Sequence, residues 1–321
     1  MATVSELPLD DPSFGSLKDV RSNSLWRLTA RRFLRQRSAI AGAILLVILV
    51  LMAITAPILA PYEPDAQLIG KEEVQKRQAP CIHLLGCSNE QPQHLMGIDA
   101  NFRDVFSRVI YGARVSLWVG FITVSFSIIV GTFLGAVSGY IGGWIDNVIM
   151  RFMDIILAFP FLLLAIAIVS VLGPGLTNAM LAIAAVSMPA YARVIRASVL
   201  SVRETAFVEA SRALGASPWQ ILFGRILPNA LPPLIVQATL GIGTAILDTA
   251  ALSFIGLGAQ PPTAEWGSML AQERNQVFSA PHLVFFPGLA IMMTVLAFNL
   301  LGDGLRDALD PRLAQAGAKR T

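Results

Sequence analysis

Residues 115–139, VSLWVGFITVSFSIIVGTFLGAVSG, run for twenty-five positions without a charged side chain. At about 1.5 Å per residue, a helix of that length is more than enough to cross the ~30 Å of bilayer hydrocarbon. Inside lipid only a helix or a closed barrel satisfies its own backbone polar groups. Five more stretches have similar character: 39–60, 149–172, 176–192, 230–252 and 283–301. The third carries Arg151 and Asp154 at its start and is uncharged from 155 to 172. One apolar run is as readily a buried core helix; six with few charges between them are not. Composition agrees: 55% of residues are hydrophobic and only 14% charged, against about 25% charged in soluble domains. The expected fold class is an all-α polytopic membrane protein with six transmembrane helices.

Orientation follows from Lys and Arg. Residues 1–38 hold Lys18, Arg21, Arg27, Arg31, Arg32, Arg35 and Arg37. Segment 193–225 holds Arg193, Arg196, Arg203, Arg212 and Arg225, and the C-terminal tail adds Arg306, Arg312, Lys319 and Arg320. Six crossings put all three blocks on one side, which is therefore expected to be cytoplasmic. The N-terminus does not have the charge order of a secretory peptide, and its first apolar run is too long for one. The expected organisation is a cytoplasmic tail and basic segment at 1–38, a first span at 39–60 and an extracytoplasmic loop at 61–114. A core of five spans follows over 115–302, with a cytoplasmic unit at 201–228, an outer loop at 253–282 and a cytoplasmic tail at 303–321.

In the first outer loop, CIHLLGC closes a small ring if Cys81 and Cys87 pair, as an oxidising compartment permits. His83 and His94 are too few and too scattered to indicate zinc, so no metal site is expected. The pattern of 103–114 suits an interfacial helix lying along the membrane. Loop 253–282 contains GLGAQPPTAEWG, whose Gly and Pro rule out a continuous helix. Glu265 and Trp266 in that loop either touch a partner from outside or anchor the loop itself.

Two acids fall at membrane depth, Asp154 and Asp248. Such groups usually face protein or water. Both are candidates for the translocation path or for an interhelix bond; the plainer alternative for Asp154 is a pair with Arg151, three residues back on the same helical face. Two acids near span ends are thin grounds for a proton relay.

The cytoplasmic unit reads EASRALGASPWQILFGRILPN at 209–229. Ser201 and Glu204 have capping-box spacing, which predicts a helix start near 202. Gly215 is a left-handed stop; Ser217, Pro218 and Gln220 then have the spacing of a new helix start. Trp219, Leu222 and Phe223 are expected on its exposed apolar side, with the chain re-entering the membrane around Pro228. Two short angled helices are familiar from DNA readers, but both neighbours here are membrane spans, and Arg212 and Arg225 are too few to hold phosphates. The unit reads as a docking site for a soluble partner, and no nucleic acid is expected.

At this point the sequence resembles the permease subunits of ATP-binding-cassette importers, specifically the second permease of dipeptide and oligopeptide uptake systems. That family carries a Glu-Ala-Ala, a glycine and an Ile-to-Leu-Pro motif in one cytoplasmic loop. Here it reads Glu209-Ala210-Ser211, Gly215 and Ile226-Leu227-Pro228 followed by Asn229. Further blocks match at 94–114, 140–160, 251–267 and 296–313. Phe102 stands where the family usually has glycine, so an altered turn is expected there.

The resemblance implies a type I importer permease in a bacterial or archaeal inner membrane, its termini cytoplasmic. It implies a homologous second permease, two cytoplasmic ATPases and an extracytoplasmic binding protein, with ATP and magnesium on the partners. The helix after Ser217 would be the coupling helix, and Glu209, Ala210, Ser211, Gly215, Ala216, Ser217, Pro218, Trp219, Ile226, Leu227 and Pro228 would belong to the ATPase contact. The chain has no G-x-x-x-x-G-K-[ST] loop, so it is expected to be neither an ATPase nor a holder of any cofactor. Dipeptides or short oligopeptides are the expected cargo, with glutathione, nickel or another small solute as the alternative. A stand-alone secondary carrier is the rival from another class; the two halves show no evident repeat that would support it.

Overall fold

A computed structural model describes residues 33–34, 36–88 and 91–309. Most of the two tails lie outside the described residues, with Lys18, Arg21, Arg27, Arg31, Arg32, Arg35, Arg312, Lys319 and Arg320 among them.

Ten of the eleven α-helices among the described residues, all but the short Ala56–Leu59, organise the rest. They are α1 (Arg37–Ile54), α2 (Val105–Ile141), α3 (Gly143–Leu157), α4 (Phe161–Leu172), α5 (Leu176–Arg203), α6 (Ala206–Ala213), α7 (Pro218–Ile221), α8 (Leu227–Phe254), α9 (Trp266–Glu273) and α10 (His282–Leu309). Among the described residues five helical stretches are long and apolar enough to cross a membrane, or six if the bent pair α3–α4 makes one crossing.

The centre of the bundle is the packing of α2 on α5, with α8 against both, α10 behind α8 and α1 on α10. Sequence sets this order through small residues. Gly131, Gly135 and Gly139 recur every fourth position along α2, facing the backbone of Met188, Ala192 and Arg196 on α5. The two four-residue repeats match rung for rung, which lets the backbones approach as small-residue stripes do in membranes. Ser127 adds a polar stitch, donating to the Ala184 carbonyl at 3.0 Å. Gly42 and Gly304 do the same between α1 and α10, where added side chains would meet Leu301 and Ala39.

Several expectations need correction. The third span is not one straight helix: α3 and α4 are bent by 91° at residues 158–160. Pro160 has no N–H to continue the ladder, and it pushes the residue before it out of the helical region. With twelve residues, α4 extends only about 18 Å. The interfacial helix expected at 103–114 is instead the outer end of α2, which runs unbroken for 37 residues. Asp104 caps it, its side chain accepting from the Ser107 N–H at 2.8 Å.

On the basic side, no helix starts at 202. Ser201 lies within α5, which continues to Arg203, and the next helix begins after Thr205. Pro228 does not interrupt the helical path. It sits in the first turn of α8, where a missing N–H is tolerated. A π-helical turn, Leu222–Ile226, joins α7 to α8, and Pro218–Phe254 forms one continuous helical rod of 37 residues.

Candidate functional site

The unit at 205–229 is a knuckle with two unlike sides. Gly215 adopts φ +81°, and the N–H of Ala216 reaches back to the Ser211 carbonyl at 3.1 Å, so the left-handed stop is formed as expected. Ser217 Oγ accepts from the Gln220 N–H at 3.4 Å, and Gln220 Oε1 accepts from the Ser217 N–H at 3.1 Å. Pro218 occupies the first turn. Val208, Ile221, Leu222 and Ile226 are buried in the membrane-domain core. On the other side Leu214 is 88% exposed, Trp219 56% and Phe223 43%. Trp219 and Phe223 stack with ring centroids 5.7 Å apart.

The predicted contact residues therefore divide. Glu209, Ala210, Gly215, Ser217, Pro218, Trp219 and Pro228 are exposed, while Ser211, Ala216 and Leu227 are half-buried. Ile226 and Leu222 point inward, fully buried, and anchor the knuckle rather than present a surface. The reason is periodicity: Ile221, Leu222 and Ile226 fall on the core-facing stripe, and Trp219 and Phe223 lie off it.

Polar rungs tie the knuckle's supports together. Asp146 on α3 takes both Arg196 Nε and Arg196 Nη2 of α5 at 2.6 Å, a bidentate pair. Ser138 on α2 also hydrogen-bonds to Asp146. Arg203 donates to the Gly139 carbonyl at 2.9 Å. Asp154 does not pair with Arg151; its partner is Arg193 of α5, at 2.6 Å. Both members of that pair are half exposed, so it contributes little to stability. The tertiary partner prevailed because α3 and α5 run antiparallel, bringing 146 to 196 and 154 to 193. Sequence reading missed Asp146, although its spacing to Asp154 and that of Arg193 to Arg196 hint at two opposed ladders.

The far side carries a second polar network. Arg108 is buried and donates to the Pro64 carbonyl at 2.7 Å and to the Pro262 carbonyl. Arg103 donates to Asp99 at 2.7 Å and to Gln272 at 2.9 Å, and Arg77 to Glu273 at 2.9 Å. His94, fully buried, lies 3.0 Å from Asp104 and 3.3 Å from Glu72. These contacts bind 61–104 to the head of α2 and to α9. Cys81 and Cys87 are joined in a disulfide. Phe102 takes φ +58°, so it keeps a glycine-like turn despite its side chain.

Glu265 and Trp266 do not reach outward. Glu265 caps α9, accepting from the N–H groups of Gly267 at 2.9 Å and Ser268 at 2.8 Å. Burial raises its carboxyl above the ordinary range, opposed by those hydrogen bonds and by Ser253. Trp266 is fully buried and donates its indole N–H to the Val109 carbonyl at 3.0 Å. Of the two readings open in the sequence, the loop anchor is the one formed. Asp248, by contrast, lies on α8 half-buried.

Comparison with known proteins gives this arrangement its context. Residues 131–315 match the family model described as the binding-protein-dependent transport system inner membrane component. The chain belongs to that family. Residues 24–80 also match the N-terminal transmembrane domain of oligopeptide transport permease C. The chain is 49% identical over 290 residues to the dipeptide transport system permease protein DppC of Alkalihalophilus pseudofirmus, covering 90% of this chain and 91% of that one. It is 42% identical to the glutathione transport system permease protein GsiD of Pectobacterium atrosepticum, covering 92% and 94%. In fold it resembles an inward-facing MetNI methionine ABC transporter chain, with a TM-score of 0.53 at 22% identity, over 63% of this chain and 97% of that one. This inner membrane component is thus a multi-pass permease subunit and not an enzyme.

Proposed function

We propose that this permease carries dipeptides or related short peptides inward, that it forms half of the path with a homologous second permease, and that Ser217–Ile221 is its coupling helix. The observation that supports coupling is the two-sided knuckle: Leu214, Trp219 and Phe223 are exposed, while Val208, Ile221 and Ile226 are fixed in the core. An exposed aromatic and aliphatic cluster on a rigid base suits a groove on a soluble partner. On this reading that partner is one of two ATPases, and Glu209, Ala210, Ser211, Gly215, Ala216, Ser217, Pro218 and Leu227 flank the contact. Pro228 closes it on the membrane side. An extracytoplasmic binding protein delivers the cargo.

The mechanism follows from mechanics. The rod from Pro218 to Phe254 is about 55 Å long. Movement of the ATPases would push its lower end, and α5, tied through Asp146–Arg196 and Arg203–Gly139, would move with its neighbours. The path would open outward with nucleotide bound and reset after hydrolysis on the partners. Counting α3–α4 as one crossing gives the six spans that put both termini in the cytoplasm.

The test is co-purification of the ATPases with Trp219→Asp and with Gly215→Pro/Trp219→Asp permease. Loss of the ATPases with normal membrane insertion is expected. Intact assembly and ATP-driven dipeptide uptake in both variants would overturn the coupling assignment.

A further inference from the structure

One face of α8 does not match the others that leave the bundle. The outer face of α1 exposes Ile44, Val47, Ile48, Leu51 and Ile54, and that of α2 exposes Trp118, Phe121, Phe126, Ile129 and Phe133. Those are wholly apolar surfaces. On α8 the corresponding face carries Gln237, Thr244 and Asp248 beside the exposed Leu247, with Thr244 exposed and Gln237 and Asp248 half-buried. At about 100° per residue, the three fall within an arc of roughly 40°. Thr244 satisfies its own hydroxyl by donating to the Leu240 carbonyl at 3.1 Å. Among the described residues nothing hydrogen-bonds to or pairs with the Asp248 carboxyl group.

A carboxyl group left bare against hydrocarbon is costly, so intramembrane acids face protein or water. Asp248 lies six residues from the outer end of α8, about 9 Å in, and Gln237 about 16 Å deeper. The stripe therefore begins near the outer mouth and continues inward, as a wet path would. Dipeptides and glutathione, the solutes named for two relatives, differ in size and linkage. Both carry a free primary ammonium group. That is the group a lone carboxylate would complement.

Resting on the peptide reading above, we infer that the Gln237–Thr244–Asp248 face of α8 lines the path and that Asp248 receives the ammonium group of the passing peptide. A single ion pair in a hydrated path is strong enough to select a charge and weak enough to release it. Gln237 and Thr244 offer amide and hydroxyl groups to the peptide's polar backbone further in.

The experiment uses the complete complex in liposomes, with L-alanyl-L-alanine and glutathione as probes. Asp248→Asn is expected to raise the apparent KM for uptake about threefold to fivefold, with the partner permease and ATPases still co-purifying; Asp248→Glu should restore most of it. A second arm places cysteine singly at 237, 244 and 248. The chain's two native cysteines are joined to each other, so each new thiol is the only free one on this chain. A water-soluble, ammonium-bearing thiosulfonate should label all three, fastest at 248, and the transported peptide should slow that labelling. Uptake by Asp248→Asn with an unchanged KM would overturn the inference. So would cysteines closed to the reagent, or loss of the partner permease from Asp248→Asn, which would make Asp248 an interhelix bond. If the wild-type complex imports neither probe, the peptide reading itself fails and the ammonium assignment with it.

Discussion

The carbonyl of Ala192 occupies the space that a β-carbon on Gly135 would need. These residues, one on α2 and one on α5, bring the two backbones into close contact. Gly135→Ala should cost about 1–3 kcal/mol, the usual range for overpacking, and Gly135→Leu should prevent the pairing. Thermal unfolding in detergent, read by tryptophan fluorescence, checks the first. Loss of the folded species on size exclusion checks the second.

Asp146 and Arg196 form the best-aligned ion pair between α3 and α5, with side chains 15% and 32% exposed. A double-mutant cycle with Asp146→Asn and Arg196→Gln should give a coupling energy of about 1–2 kcal/mol, allowing for partial screening. The Asp154–Arg193 pair, half exposed at both ends, should give under about 0.5 kcal/mol in the same assay. Equal values would contradict the burial argument.

Phe102 holds a left-handed backbone that a residue with a β-carbon adopts at a cost of about 1–2 kcal/mol. Phe102→Val, with its branched β-carbon, should therefore be less stable than Phe102→Gly by about that amount. The comparison cancels the loss of the phenyl ring, which both variants share approximately. Melting temperatures of the two purified variants decide it.

Cys81 and Cys87 are separated by six residues, and closing so short a ring removes little freedom from the unfolded chain. Cys81→Ala/Cys87→Ala should lower stability by no more than about 2 kcal/mol. Peptide uptake should persist. Abolished uptake would give the ring a direct role in transport.

Glu265 carries a pH prediction. Burial raises its folded pKa above the ordinary value of about 4.3. The folded state therefore favours the protonated acid. The stability this supplies is present below the ordinary pKa and is lost as pH rises through the raised one. Glu265→Gln should flatten that decline, so its melting temperature should differ less between pH 5 and pH 8 than the wild type's. A steeper dependence in the variant would reverse the sign.

How far the sequence carried the reading depended on what each feature needed. The uncharged run at 115–139 and the caps at Gly215 and Ser217 are local, and the structure forms them as read. Pro160 was visible inside the third span, but hydropathy averages over such a break, so the 91° bend was not anticipated. Pro228 is the opposite case. A proline in a first helical turn breaks nothing, and only the π-helical turn before it reveals that the turn is there. Asp154 is legible as a candidate for an interhelix bond, but its partner is not, because Arg193 lies 39 residues away. Glu265 and Trp266 are legible as special and illegible in direction, since their burial depends on the head of α2, where Trp266 meets Val109 across 157 residues of chain.

The π-helical turn at Leu222–Ile226 also has an angular meaning. A π turn holds one residue more than the α-helix would, and each residue is worth about 100° of rotation. It therefore sets the azimuth of Trp219 relative to Asp248, two side chains near opposite ends of the same rod. Removing a single residue there would leave both ends folded but turn one about 100° against the other. The knuckle and the mouth of the membrane segment would then be two correct parts clocked to the wrong hour.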